Sequence, residues 1–251
     1  TPVKEITNNM YVLKNGYVAS KIYMNSLFEN EGKKCILSSI ENITYNNITV
    51  VFENRIILKK FTTSFQRGNH YCITGESGSG KSTLVKILLN FINPEDGEMT
   101  INDIAVQNIN LESLFNNIAF LLQDSSLFEG SLYNNILLNN TIDEITLKEM
   151  FITFNLEEIY QEYRNNKIML PNQLSLGERN RLLLIRTILN SFQKEWVVLD
   201  EPLVGVDTNT KSKIIEYLKD VFKNKTLVLI THDELLIQTF SSNLININAY
   251  N

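Results

Sequence analysis

The chain has 251 residues, 43% of them hydrophobic, enough for one α/β domain with a smaller attached subdomain and a well-buried core. A formal net charge of −5 and the lack of a dense Lys/Arg run argue against a nucleic-acid partner, and Cys35 and Cys72 show neither a C-x-x-C spacing nor a nearby histidine, which excludes a cysteine metal site. There is no run of apolar residues long enough to cross a bilayer and no signal-peptide core, and the start at Thr1 leads us to expect an excised part of a longer protein.

In chain order, residues 8–30 carry Met10, Leu13, Tyr17, Val18, Ile22, Leu27 and Phe28 at close to helical period, which predicts a helix outside the main core. Strand-like runs follow at 35–45, 48–53 and 61–65, separated by polar stretches. A short β-rich run at 70–74 then leads through a glycine loop into a helical pattern over 83–91, with Leu84, Ile87, Leu88 and Phe91 on one face. Residues 93–97 read as a turn and 98–103 as a strand and turn. From about 125 to 186 the pattern is mainly helical, and the apolar runs 196–199 and 227–230 have the character of buried parallel strands. Cys72, inside a core strand, is expected to be a small buried hydrophobe.

Between the strand at 70–74 and the following helix lies Gly75-Glu76-Ser77-Gly78-Ser79-Gly80-Lys81-Ser82-Thr83, the G-x-x-x-x-G-K-S spacing of a phosphate-binding loop. Glycines let the backbone curl so that N–H groups point at phosphate oxygens, and the helix start adds partial positive charge. Lys81 supplies a full charge for the outer phosphates, and the Ser82 hydroxyl suits a magnesium ion. A nucleoside triphosphate is the expected ligand. A second element, Val197-Val198-Leu199-Asp200-Glu201, is an apolar strand ending in two carboxylates. Charge in the middle of a buried strand is costly, but at its C-terminal end it can meet a ligand. Asp200 then suits the magnesium shell and Glu201 the polarisation of an attacking water.

Residues 173–181, Gln173-Leu174-Ser175-Leu176-Gly177-Glu178-Arg179-Asn180-Arg181, resemble the LSGGQ signature of ATP-binding-cassette (ABC) ATPases, with Leu176 for the first glycine and Glu178 for the glutamine. Gln123 is similar to that family's glutamine loop, Asp207 to its D-loop aspartate and His232 to its switch histidine, all in the family's order between residues 75 and 232. The resemblance implies a P-loop NTPase (RecA-like) α/β core with an antiparallel β subdomain and a helical signature subdomain. It implies ATP and Mg2+ as cofactors and a second ABC ATPase domain, expected to be identical, facing this one head to tail. Ser175 and the Gly177 N–H, with Leu176 and Glu178 alongside, would close on ATP held by the other domain. Asp207 would line the same site, while Gln123 would complete the metal and water shell with Ser82 and Asp200. His232 would hold Glu201 and the water in line. The family also places an aromatic side chain on adenine. Tyr45, thirty residues before Gly75, matches that spacing, and Phe52 fits the local alignment better; Tyr45 is the preferred candidate.

The run Gln123-Asp124-Ser125-Ser126-Leu127-Phe128-Glu129-Gly130-Ser131-Leu132-Tyr133-Asn134-Asn135-Ile136 resembles the exporter branch of the family. Residues 18–27 resemble the helix end that joins an exporter's membrane domain to its ATPase domain, so 1–32 is expected to be a linker helix and 33–251 the ATPase domain. Residues 84–94 are similar to bacterial peptide, bacteriocin and lantibiotic exporters. These resemblances imply an ATPase at the cytoplasmic face of the membrane, attached to a transmembrane domain of the same protein and not touching the exported molecule. Two other readings are a catalytically weak cassette serving as the structural half of a heterodimer, consistent with Leu176, and a soluble ABC ATPase outside transport.

Overall fold

The computed structural model describes residues 34–138, 141–164 and 167–250. The expected linker helix over 1–32 lies outside them. The described residues divide into two compact units: one of residues 34–120, 194–200 and 224–250, the other of residues 121–193 and 201–223.

The first unit opens with β1 (Asn42–Phe52) and β2 (Arg55–Gln66), an antiparallel hairpin. Its two-residue turn is Glu53-Asn54, both at positive φ, 48° and 63°, the backbone that matches the twist of the flanking strands. Along β1 the buried positions Ile43 and Tyr45 alternate with more exposed ones until the register shifts after Tyr45. The strand expected at 35–45 begins only at Asn42; Cys35 makes an isolated bridge to Ile109. β3 (His70–Thr74) precedes the glycine loop, and α1 (Lys81–Leu88) follows it, ending before Asn90 at φ 56° rather than reaching residue 91. β4 (Asp96–Ile101) pairs with β1, and β5 (Ile104–Ala105) pairs with β4, which gives a four-stranded antiparallel sheet ordered β2-β1-β4-β5. Helix α2 (Leu111–Asn117), capped by the Asn110 side chain, leads into β6 (Ile118–Leu121).

The helical unit then carries a small two-stranded pair, β7 (Gly130–Ser131) and β8 (Ile168–Met169), with α3 (Leu132–Leu137), α4 (Glu144–Thr153) and α5 (Glu157–Tyr163) between them, and α6 (Leu176–Ser191) after them. Ser131 caps α3 and Asp143 caps α4. The chain returns to the first unit for β9 (Trp196–Asp200), and then forms α7 (Thr208–Phe222) in the helical unit. Phe154, at the end of α4, meets Tyr217 of α7 edge-on at 5.7 Å.

The closing elements β10 (Thr226–Ile230), α8 (Glu234–Phe240) and β11 (Asn243–Asn246) complete a second, five-stranded sheet ordered β11-β3-β10-β9-β6. The pairs β11–β3, β3–β10 and β10–β9 are parallel. Every residue of β9 and β10 is buried, so the unbroken apolar runs in the sequence reflect a parallel sheet covered on both faces. Trp196 Nε1 donates to the Ile40 carbonyl at 2.8 Å, which satisfies its one polar atom inside the core. Cys72 is fully buried, and burial pushes its thiol up to about 11. This α/β core with a separate antiparallel sheet and a helical unit is the P-loop NTPase architecture expected.

Candidate nucleotide site

The phosphate loop is built by the register of the parallel sheet. The chain leaves β3 at Thr74, turns through 75–80, and enters α1 at Lys81. Gly80 sits at φ 91° as the N-cap and gives no side-chain hydrogen bond, so no capping group covers the first-turn N–H donors. A side chain here would also be blocked, because a Cβ on Gly80 would lie 2.9 Å from Leu58 of β2. Lys81, only 7% exposed, folds its ammonium back over the loop and donates to the carbonyls of Gly75 and Glu76, both at 2.7 Å. A cation is thus held at the mouth of an uncapped helix start, the arrangement that favours a bound anion. Ser82 and Thr83 occupy the first turn behind it, Ser79 is buried, and Glu76, Ser77 and Gly78 are exposed.

The neighbouring strand ends carry the other expected groups. Asp200 closes β9 at 2% exposure and is in register with Ile230 of β10, which is in turn in register with Ile73 of β3. The chain then passes to Glu201 at φ 49°, a left-handed backbone that a glutamate seldom adopts. His232 lies exposed just beyond β10, where the Thr231 N–H donates to the Ile73 carbonyl at 3.3 Å. The ends of β3, β10 and β9 therefore bring the phosphate loop, His232 and Asp200 to one edge of the parallel sheet.

The helical unit holds the remaining residues. Gln123 is exposed in the segment after β6. Ser175 caps α6 in a reciprocal capping box: its Oγ accepts from the Glu178 N–H at 3.2 Å, and Glu178 Oε2 accepts from the Ser175 N–H at 2.7 Å. These bonds to Ser175 hold the Glu178 carboxyl below its usual range, helped by the charge of Arg181. Glu178 thus stabilises the helix start above the ordinary carboxylate range and loses that effect as pH falls through its depressed value. Leu176 is 53% exposed and lies over Gly205, whereas Gly177 is buried. A Cβ on Gly177 would come within 2.5 Å of the Gly205 carbonyl oxygen, so of the two signature glycines in the family the second is the one this backbone requires. Asn180 Nδ2 donates to the Val204 carbonyl at 2.8 Å, which ties α6 to the same D-loop. Asp207 is the N-cap of α7, accepting from the Thr210 N–H at 3.0 Å, and that bond holds its carboxyl low.

Tyr45 is the one expected ligand group that the structure corrects. Its ring is 1% exposed, meets Phe61 and Phe65 edge-on at 5.8 Å each, and its hydroxyl donates to the Leu84 carbonyl at 2.8 Å. A ring enclosed in this way has no face for a base. Phe52, 56% exposed at the β1–β2 turn, has one. Phe52→Ala is therefore expected to raise the KM for ATP about tenfold, on the scale of one base–aromatic stack. Tyr45→Phe should leave that KM unchanged and cost about 1 kcal/mol of stability for the lost buried hydrogen bond. Steady-state kinetics and thermal unfolding check both. Sequence reasoning also misses Gly205, Ile247 and Asn248, which contact site residues without carrying a motif of their own.

A glycine-rich loop between a parallel strand and a helix, with a lysine at its mouth and an aspartate closing another strand of the same sheet, defines a P-loop nucleotide-binding domain. The ABC transporter family model matches residues 58–204, and the chain belongs to that family as an ATP-binding ATPase domain. It is 29% identical over 249 residues to the ATP-dependent lipid A-core flippase 2 of Colwellia psychrerythraea, covering 94% of this chain and 42% of the relative. It is 31% identical over 243 residues to the lactococcin-A transport/processing ATP-binding protein of Lactococcus lactis, covering 92% and 33%. The chain thus spans less than half the length of these two relatives. The solved structure of a bacterial Atm1-family ABC exporter with ATP bound superposes with a TM-score of 0.71 over 90% of this chain and 42% of the other, at 20% identity, a likeness of fold. Among the described residues, no helix is long and apolar enough to cross a membrane.

Proposed function

We propose that this chain hydrolyses ATP as one half of a head-to-tail pair of identical domains and so powers an exporter whose transmembrane domain belongs to the same protein, at the cytoplasmic face of the membrane. The observation that carries the reading is the uncapped helix start at Lys81, and a second helix start, at Ser175, has a hydroxyl that accepts from the Glu178 N–H and keeps its own proton to donate. Each is suited to one side of a triphosphate. Residues 75–83 hold the phosphates, Phe52 stacks on adenine, and Ser175 with the Gly177 N–H closes the opposite side from the second chain. Leu176 and Asp207 border that closing surface.

Ser82, Asp200 and Gln123 offer hard oxygen donors, and no cluster of three or more His, Cys, Asp or Glu side chains forms a metal cage among the described residues. That donor set fits Mg2+, which keeps most of its shell as water and phosphate oxygen. The ion, when bound, neutralises charge on the outer phosphates. Glu201 accepts a hydrogen bond from the attacking water, and His232 fixes the terminal phosphate relative to it. Residues 1–32 serve as the linker to the transmembrane domain and 33–251 as the ATPase domain.

For the exported molecule we propose a peptide. Support comes from the likeness to the lactococcin-A transport/processing protein over 92% of this chain. The pairing is tested by sedimentation of the Glu201→Gln chain with saturating ATP and Mg2+: self-association that reverses on ATP removal is expected, and a monomer under both conditions overturns it.

A further inference from the structure

The parallel register of β11 on β3 runs Asn243 to Tyr71, Leu244 to Cys72, Ile245 to Ile73 and Asn246 to Thr74. Continued by two residues, it sets Ile247 beside Gly75 and Asn248 beside Glu76, at the start of the phosphate loop. The contacts agree. A Cβ on Gly75 would meet Ile247 Cγ2 at 2.4 Å and Asn248 Oδ1 at 2.9 Å, and Ile247 is fully buried. The Glu76 N–H donates to Asn248 Oδ1 at 2.8 Å, a side-chain carbonyl standing where a backbone acceptor would extend the sheet. Asn248 is itself oriented by its own N–H, which donates to Asn246 Oδ1 at 3.0 Å.

The Gly75 carbonyl and the Glu76 N–H belong to one peptide plane. Lys81 holds that plane at its oxygen and Asn248 at its nitrogen. Arriving phosphate competes for the Lys81 ammonium, which weakens the first hold and leaves the second. We infer that Asn248 is a positioning residue for nucleotide binding: through Glu76 it keeps the first peptide of the loop turned outward, so that the following N–H groups face the phosphates. Its role is to orient the loop, with no part assigned to it in the hydrolytic step. The inference rests on the ATP-binding reading above.

The test compares the native chain with Asn248→Ala and Asn248→Gln, reading the dissociation constant of a fluorescent ATP analogue together with KM and kcat for ATP. Asn248→Ala is expected to raise the dissociation constant and KM about three- to tenfold, the scale of one hydrogen bond, with kcat within about twofold of native. Asn248→Gln keeps a neutral amide acceptor, adds no charge beside the phosphates and, at an exposed position, should recover most of the affinity. Unchanged affinity in Asn248→Ala, a fall in kcat at constant KM, or a Gln variant as weak as the Ala variant each overturns the inference. Failure of the native chain itself to bind the analogue would instead overturn the ATP-binding reading.

Discussion

Lys81→Met should abolish nucleotide binding at concentrations that saturate the native chain, lowering affinity for ATP about a hundredfold or more. The methionine keeps the apolar stem and length, so the loss reports the ammonium. Lys81 sits almost wholly inside the loop, with the Gly75 and Glu76 carbonyls as acceptors. In the complex it exchanges part of that bonding for phosphate oxygens, and charge-assisted bonds contribute about 1.5–3 kcal/mol each, so two of them exceed a hundredfold. The variant also frees the Gly75 and Glu76 carbonyls from the ammonium, which loosens the loop and adds to the loss. Titration with a fluorescent nucleotide measures the effect; affinity within about threefold of native would show that Lys81 is a structural tie and nothing more.

Gly177→Ala is the second large effect, and it acts through the backbone. The new methyl would sit 2.5 Å from the Gly205 carbonyl oxygen, where no flexible side chain can yield, so either the start of α6 or the D-loop must move. Overpacking of this kind costs about 1–3 kcal/mol. The displaced groups include Ser175 and its capping box with Glu178, together with the Asn180 bond to Val204. In the proposed pair these groups serve the partner's nucleotide. ATP turnover should therefore fall at least about tenfold, as catalytic geometry tolerates little displacement, while binding of ADP to the single chain is unchanged. Leu176→Gly, by contrast, removes an exposed side chain and should leave thermal stability nearly native. Full turnover in Gly177→Ala would contradict the assignment of the signature segment.

The parts of the fold that can be read from sequence are those with a short-range cause. The glycine loop, the strand before it and the apolar runs within β9 and β10 each carry their pattern within a few residues. The β1–β2 hairpin is harder, because its turn is Glu53-Asn54 rather than the Asn-Gly or Asp-Gly pair that signals a positive-φ turn. Counting back from Gly75 misplaces Tyr45 in the site. Its spacing of two from Ile43, on the buried face of β1, is the available sign that it belongs to the core. Leu176 teaches the opposite: it is the visible departure from the signature, yet the steric demand falls on Gly177, and only the position of Gly205 reveals this. Asn248 is illegible for a further reason, since its partner Glu76 is 172 residues away and the two meet only through the register of β11 on β3.

Glu201 links the observed strand end to the proposed chemistry, since it follows Asp200 directly and occupies a backbone conformation that costs about 1–3 kcal/mol to maintain. The decisive measurement is steady-state phosphate release by the native chain beside Glu201→Gln, at saturating ATP and Mg2+ with nucleotide binding verified in both. Hydrolysis through Glu201 requires release by the native chain that is at least about a hundredfold faster than by the variant, the scale of a lost general base. Equal release by the two chains would contradict it and leave a cassette that binds ATP without hydrolysing it.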